Sequence, residues 1–280
     1  MKADLHLHTT VSDGKLAPEA LVQLAAQVGL NVIAITDHDT VGGVDAAMAA
    51  AQPLSLKVIP GVEINTDIAG GEVHILGYFI DHKSLELEQR LEGLRQSRAK
   101  RARQIISKLE KLGVHLDWER VKRIAGEGSI GRPHIAQAML EGGYISYLQE
   151  AFNKYIGRRG PAYVERERLT PTAAVELVRR GGGLPVIAHP AGLEYPDELL
   201  GQLKKAGLVG LEAYYDGYDQ PTIYRLVELA DKFELITTGG SDFHGFGGVS
   251  ETPIGGVEIP WVKVEQLIAL GQESSAKVTL

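Results

Sequence analysis

His6 and His8 flank a single leucine in Asp4-Leu-His6-Leu-His8, with Asp13 close behind, and Asp242-Phe-His244 repeats the pairing of acid and imidazole late in the chain. On a strand, residues two apart point to the same face, so His6 and His8 can grip one ion while Leu5 and Leu7 face the core. Similar pieces recur between these ends. An apolar, β-branched run from Asn31 ends in Thr36-Asp37-His38-Asp39, Lys57 to Glu63 ends in Pro60-Gly-Val-Glu63, and His74 sits in the run Val73 to Leu76. Leu184-Pro-Val-Ile-Ala-His189 and Leu235 to His244 again place a ligand-capable residue after an apolar strand. Six of the nine histidines and three carboxylates, Asp13, Glu63 and Asp242, therefore fall at strand ends.

Each has an ordinary explanation alone, as a loop imidazole or a solvated turn carboxylate. Nine together do not. In α/β folds, sites collect beyond the carboxyl ends of parallel strands. Polar groups gathered there without cations would be desolvated at a cost of several kcal/mol. Nitrogen and oxygen donors without sulfur suit Mn²⁺, Fe²⁺ or Zn²⁺. The chain has no cysteine, which excludes disulfides and thiolate metal sites.

The elements that must carry these residues alternate in type. Strands are expected at Ala3 to His8, Val32 to Thr36, Lys57 to Ile64 and Val73 to Ile80, the last two pairing antiparallel across Ala69-Gly-Gly71. Helices are expected near Ala17 to Val28, with Pro18 in the first turn and Gly29 as the stop, and near Val44 to Ala51. From Leu85 the period becomes helical, with Leu87, Leu91, Leu94, Ile105, Leu109 and Leu112 as an apolar stripe. Further helices are expected near Trp118 to Ile124, Pro133 to Glu141 and Tyr144 to Tyr155, and the next strand signal is Ala162-Tyr-Val164. The alternation then resumes: helix Thr172 to Arg180, strand Leu184 to Ala188, helix Asp197 to Ala206, strand Val209 to Ala213, helix Gln220 to Lys232, strand Glu234 to Thr238. Residues 90–165 thus read as a helical insertion in an α/β domain formed by 1–89 and 166–280.

The 280 residues suit one α/β barrel of roughly 250 residues, or a smaller barrel with an insertion. Apolar content of 44% and charged content of 23% are those of a globular chain. No apolar run nears the roughly 20 residues of a membrane span and no signal peptide is evident, so a cytoplasmic location, no membrane partner and no obligate protein partner are expected. The net charge of −7 conceals an asymmetry: residues 90–168 hold 17 Lys/Arg against 9 Asp/Glu, the remainder 12 against 27. Three ligand carboxylates would offset half the charge of three divalent ions, leaving a centre that attracts phosphate.

Asp4-Leu-His6-Leu-His8-Thr-Thr-Val-Ser-Asp13-Gly, Thr36-Asp37-His38-Asp39, Pro60-Gly-Val-Glu63-Ile, His74-Ile-Leu-Gly-Tyr, Val186-Ile-Ala-His189-Pro190 and Gly240-Ser-Asp242-Phe-His244-Gly resemble the PHP (polymerase and histidinol phosphatase) family over nearly the whole chain. The resemblance implies a distorted (β/α)7 barrel with a trinuclear centre at its mouth, and Mn²⁺ as the metal. It puts His6, His8, Glu63 and Asp242 on one ion, Glu63 bridging to a second with His74 and His189, and Asp13, His38 and His244 on the third. Asp4, Asp37 and Asp39 become candidate acceptors for ligand N–H groups, or turn and cap residues.

Such a centre lowers the pKa of bridging water from about 16 to near 7 and neutralises oxygens as a phosphate ester breaks. The expected reaction is in-line attack of a metal-bridging hydroxide on a phosphomonoester, with Asp13, His38, His189, Asp242 and His244 as catalytic residues. Gly131-Arg132-Pro133-His134 resembles a segment of the stand-alone PHP phosphoesterases that act on nucleotides, including 3′,5′-bisphosphates, and on 5′ ends of short RNA. Pro133 would open a helix and set Arg132 at its positive end, where a guanidinium fork can hold phosphate. His134, Arg158 and Arg159 are further candidate substrate contacts, and the basic stripe Arg95, Arg98, Lys100, Arg101, Arg103 would favour a polyanion if it overhung the mouth, or is a solvated face. Alternatives are a histidinol-phosphate phosphatase and a non-catalytic metal-binding scaffold, against which stand the basic insertion and the complete ligand set.

Overall fold

The computed structural model describes residues 1–68, 71–126, 130–165, 169–193, 196–247 and 251–278. Seven strands lie side by side in chain order: β1 (Ala3–Leu7), β2 (Val32–Ile35), β3 (Lys57–Ile68), β4 (Gly71–Tyr78), β5 (Leu184–Ile187), β6 (Gly210–Tyr215) and β7 (Ile236–Gly240). All pairings are parallel except those of β4, which is antiparallel to both neighbours. The β3–β4 antiparallel pair is the expected one; Ala69 and Gly70 of its turn, and the expected domain boundary at 166, lie outside the described residues.

The sheet nearly closes on itself. Leu7 bridges Phe243 in parallel, the His8 N–H donates to the Phe243 carbonyl at 3.1 Å, and Asp4 accepts from the Ser241 N–H at 2.9 Å and hydroxyl at 2.6 Å. Gly240 permits this approach: a Cβ there would lie 2.3 Å from the Cβ of His6. Leu5, Ala34, Ile59, Leu76 and Val186 come from five neighbouring strands and share one core cluster. Tyr78 crosses the same interior to donate to the Leu5 carbonyl at 3.0 Å. Val264 and Leu267 of α10 (Trp261–Val278), a helix left unassigned from sequence, join that cluster and cover the barrel there.

Outside the sheet, α1 (Pro18–Gln27) and α2 (Val44–Ala51) pack on β1 and β2 through Leu21, Val22, Ala25 and Ala47. Helices α7 (Pro171–Arg180), α8 (Pro196–Ala206) and α9 (Gln220–Lys232) pack on β3 to β6. Leu5 and Leu7 are both fully buried but not on one face, as alternation implied: Leu7 joins the cluster of α1 and α2. The register between β1 and β2 shifts between Asp4 and Leu7, and this irregularity turns the strand.

Between β4 and β5 the chain forms α3 (Leu85–Glu110), α4 (Trp118–Ala125), α5 (Arg132–Glu141) and α6 (Leu148–Ala151), followed by a π turn at Phe152–Ile156. The last two occupy the stretch expected as one helix from Tyr144. Leu87 and Leu91 of α3 enter the barrel-side core, whereas Ala102, Ile105 and Leu109 enter a second core with Val121, Ile135, Met139 and Ile156. Leu112 lies beyond the helix end and is exposed. The strand signal at Ala162-Tyr-Val164 does not yield a strand. Side chains of α3 satisfy its carbonyls instead, Lys108 Nζ donating to Tyr163 and Arg101 Nε to Val164, while Ala162 is buried in the helical core.

Candidate metal centre

Strand ends and the turns after them deliver all nine expected ligands to one place. Glu63 lies at the centre. Its Oε1 is 2.7 Å from His74 Nδ1 and 3.3 Å from His189 Nε2; its Oε2 is 3.2 Å from both His6 Nε2 and His8 Nε2 and 3.0 Å from His38 Nδ1. The two carboxylate oxygens thus divide five imidazoles between them. Asp242 Oδ1 sits 3.0 Å from His8 Nε2 and 3.4 Å from His6 Nε2, and Asp13 Oδ1 sits 3.3 Å from His244 Nε2.

Among the described residues three groups have ligand atoms within 4.8 Å of one another: His6, His8, Glu63 and Asp242; Glu63, His74 and His189; His8, Asp13, His38 and His244. His8 faces two groups, Nε2 toward Glu63 and Asp242 and Nδ1 toward Asp13 at 3.8 Å. A neutral imidazole offers one lone pair, so His8 can serve one of them.

The backbone is held in unusual conformations here. Asp39, His189 and Asp242 have positive φ of 53°, 30° and 53°, uncommon for residues with side chains and worth seeking a function for. For His189 the constraint is visible: its N–H donates to Glu212 at 2.8 Å.

Electrostatics follow from burial and crowding. Burial opposes protonation of His8, but the Asp242 and Glu63 carboxylates close to its Nε2 outweigh it and push the imidazole up to about 10. His6 is likewise raised, against burial, by Glu212, Asp242 and Glu63. For His38 burial wins over Glu63 and Asp13 and brings it down to about 3. Burial would raise Glu63 and Asp13, yet the surrounding imidazoles, His38 first, hold both well below the usual carboxylate range. Protons on imidazoles here balance carboxylates, the place that cations would take.

His8 Nδ1 and Nε2 and Asp13 Oδ1 are buried and form no hydrogen bond among the described residues, unusual for interior polar atoms. Together with the sulfur-free donor set, these orphaned atoms fit divalent cations.

Residues not singled out from sequence complete the centre. Glu212, fully buried on β6, lies 3.0 Å from His6 Nδ1 and fixes that ring with its Nε2 toward Glu63. Tyr215 donates to Asp242 Oδ2 at 2.6 Å, and the Asn65 side-chain amide lies 3.1 Å from His38 Nδ1. Of the expected acceptors, Asp4 holds Ser241 and accepts from the His6 backbone N–H at 3.4 Å, Asp37 holds Thr9 and Ser12, and Asp39 pairs with Arg98. Glu212 carries a sequence signal, a carboxylate between apolar Leu211 and Ala213 on a strand, and Asn65 stands two residues after Glu63 on β3 and so on the same face.

At the centre a cleft of about 160 Å³ is lined by Asp13, His38 and His74 together with Arg98, Arg101 and Arg132. Arg132, at the start of α5, pairs with Glu72 at 2.8 Å and lies over the Phe152 ring. His134 is buried, its Nδ1 accepting from the Gly131 N–H at 3.0 Å. Arg158 and Arg159 are exposed, and Arg158 reaches the Ile68 carbonyl. The basic stripe on α3 divides: Arg98 and Arg101 line the cleft, Arg95 holds Glu88 and Glu92, and Lys100 and Arg103 are exposed, with Arg103 also covering Trp118.

A family model described as the PHP domain matches residues 4–97. Over 247 residues, 87% of this chain and 90% of the relative, the sequence is 35% identical to a 5′-3′ exoribonuclease of Haemophilus influenzae. The chain belongs to the PHP family. A PHP relative from Chromobacterium violaceum, a 3′,5′-nucleoside bisphosphate phosphatase, is 31% identical, with 87% of each chain covered. The PHP fold is matched in a solved structure from the same organism, an amidohydrolase with bound sulfate and no metal, at a TM-score of 0.86 and 30% identity, covering 95% of this chain and 97% of that one.

Proposed function

We propose that this PHP-family phosphoesterase hydrolyses phosphomonoesters of nucleotides, 3′,5′-bisphosphonucleotides or the 5′ ends of short RNA. The observation that carries this reading is the juxtaposition of nine candidate metal-ligating side chains with a cleft that Arg98, Arg101 and Arg132 also line. A phosphate fits between two cationic surfaces. The relatives named for bisphosphonucleotides and RNA ends give the substrate class, and sulfate in a structure of similar fold supports affinity for tetrahedral oxyanions.

In this reading three divalent ions, Mn²⁺ in preference to Zn²⁺ or Fe²⁺, are held by His6, His8, Glu63 and Asp242, by Glu63, His74 and His189, and by Asp13, His38 and His244. Bound there, such ions polarise a phosphoryl oxygen and acidify water. Glu63 sets the spacing of the first two sites with its two oxygens. Glu212 and Tyr215 hold His6 and Asp242 in aim, so reaction needs no reorganisation of these groups. Arg132 and the first turn of α5 orient the substrate phosphate, His134 offers Nε2–H because its Nδ1 already accepts, and Arg158 and Arg159 reach a longer substrate. Residues 90–165 then confer selectivity on a barrel built from 1–89 and 166–280.

Metal-stripped protein reconstituted with Mn²⁺ and given adenosine 3′,5′-bisphosphate, histidinol phosphate and a 5′-phosphorylated RNA oligomer in parallel tests the proposal. Preferential release of phosphate or nucleotide from the first or third supports it. Preference for histidinol phosphate ends it.

A further inference from the structure

Helix α3 crosses to the barrel and inserts Arg98 beside the loop that carries His38. The Nε of Arg98 donates to Asp39 Oδ2 at 2.5 Å, and the pair is almost completely enclosed, with 11% and 0% of the two side chains exposed. One turn earlier on α3, Arg95 Nη1 donates to the Asp39 carbonyl at 3.1 Å, so two arginines clamp a single residue. Asp39 donates its own N–H to the Glu63 carbonyl and accepts from the Asn65 N–H at Oδ1, tying the clamp to two residues of the metal centre.

The clamp explains one nitrogen of the Arg98 fork and leaves another unexplained. Nη2 is shielded from solvent and has no hydrogen-bond partner among the described residues. An N–H pair of a guanidinium buried without an acceptor loses its hydration with nothing to replace it. Natural structures rarely accept this without a reason such as a ligand. Arg98 lines the cleft with Asp13 and His38, and its Nη1 is 3.7 Å from where a Cβ on Gly131 would lie, so the fork sits at the first turn of α5.

We propose that Arg98 Nη2 donates to an oxygen of the substrate's scissile phosphoryl group, making Arg98 a catalytic residue supplied by α3 to the side of the cleft formed by Asp13 and His38. The proposal rests on the phosphoesterase reading above. It assigns Arg98 a role distinct from Arg132: Arg132 already has a carboxylate partner in Glu72 and holds the rim, whereas Arg98 lies deeper, next to the ligand cluster. A planar fork can hold Asp39 through Nε and a phosphoryl oxygen through Nη2 at once; an ammonium at the end of a lysine cannot reproduce both directions.

Binding of inorganic phosphate, measured by titration calorimetry on Mn²⁺-loaded and on metal-free protein, tests this without reliance on turnover. Arg98→Lys keeps a cation beside Asp39 and should retain the metal stoichiometry, yet weaken phosphate binding by about 10- to 100-fold. Its kcat/KM should fall at least as far. If Arg98→Lys does not fold, Arg98→Met with Asp39→Asn removes the pair without stranding a buried charge. Phosphate affinity and kcat/KM within twofold of the parent in either variant would overturn the proposal and leave Arg98 a purely structural clamp. Should nucleotides prove not to be substrates while Arg98→Lys still loses phosphate, the substrate assignment fails and Arg98 stands. Nucleotide turnover that survives intact in the variant does the reverse, removing Arg98 from catalysis while the substrate assignment stands.

Discussion

Glu212 Oε1 lies 3.0 Å from His6 Nδ1, and its other oxygen accepts from the backbone N–H of His189 at 2.8 Å. One buried carboxylate therefore orients ligands of two metal groups that are 183 positions apart in sequence. Removing it should loosen both. Glu212→Ala is expected to lower metal affinity by about 10- to 100-fold, read as metal content after dialysis against a buffered Mn²⁺ series. Glu212→Gln, which can still accept from His189, should lose less. Unchanged metal retention in Glu212→Ala would show that His6 and His189 are oriented by packing alone.

Asp13 and His38 close the group nearest the cleft. Replacing either by Ala should remove about one metal equivalent and reduce turnover by at least about 100-fold, with the other groups still loaded. Chelation of all metal should abolish activity, and Mn²⁺ should restore it. Full phosphate release by Asp13→Ala would remove this group from the mechanism.

Arg132 and Glu72 pair across the rim of the cleft. Arg132→Ala should raise KM by roughly tenfold with a smaller change in kcat, the signature of lost binding common to ground and transition states. Glu72→Ala frees the guanidinium for substrate and should lower KM. Steady-state kinetics at low and high salt check both, since screening will shrink each difference.

His134 gives a stability signature independent of metal. Burial brings its imidazole down to about 4, and the Gly131 N–H already donates to Nδ1, so protonation would break a helix cap. Its folded-state value is below the ordinary 6.5, so the unfolded chain binds the proton more readily. The contribution is complete above pH 6.5, is lost as pH falls toward about 4, and changes no further below that. The loss is on the order of 3 kcal/mol at most. His134→Gln keeps an acceptor at this helix position and has no proton to gain. Urea unfolding between pH 4 and 7 should show a shallower decline for His134→Gln, and identical slopes would place the titration elsewhere.

The nine candidate ligands were legible because they lie in apolar strands or in the turns after them, and a strand's two-residue period fixes which neighbours share a face. His6 with His8, the antiparallel partnership of β3 and β4, and the helix from Leu85 all follow from local pattern. Where local pattern was read too literally it failed. Ala162-Tyr-Val164 has strand composition, but α3 side chains took its carbonyls. Leu5 and Leu7 should share a face, but a register shift separated them. The basic residues of α3 gave no hint that Arg95 and Arg98 turn inward to Asp39.

Chemistry was written in residue types and their places along strands: a sulfur-free ligand set, an α/β alternation and a basic helical segment need nothing beyond the chain itself. Tertiary structure alone decided which groups support that chemistry. Glu212 with His6, Tyr215 with Asp242 and Arg98 with Asp39 are pairs separated by 206, 27 and 59 positions. Such pairs form only when the sheet closes and α3 crosses to the barrel, because a hydrogen bond depends on separations of about 3 Å that sequence spacing does not encode.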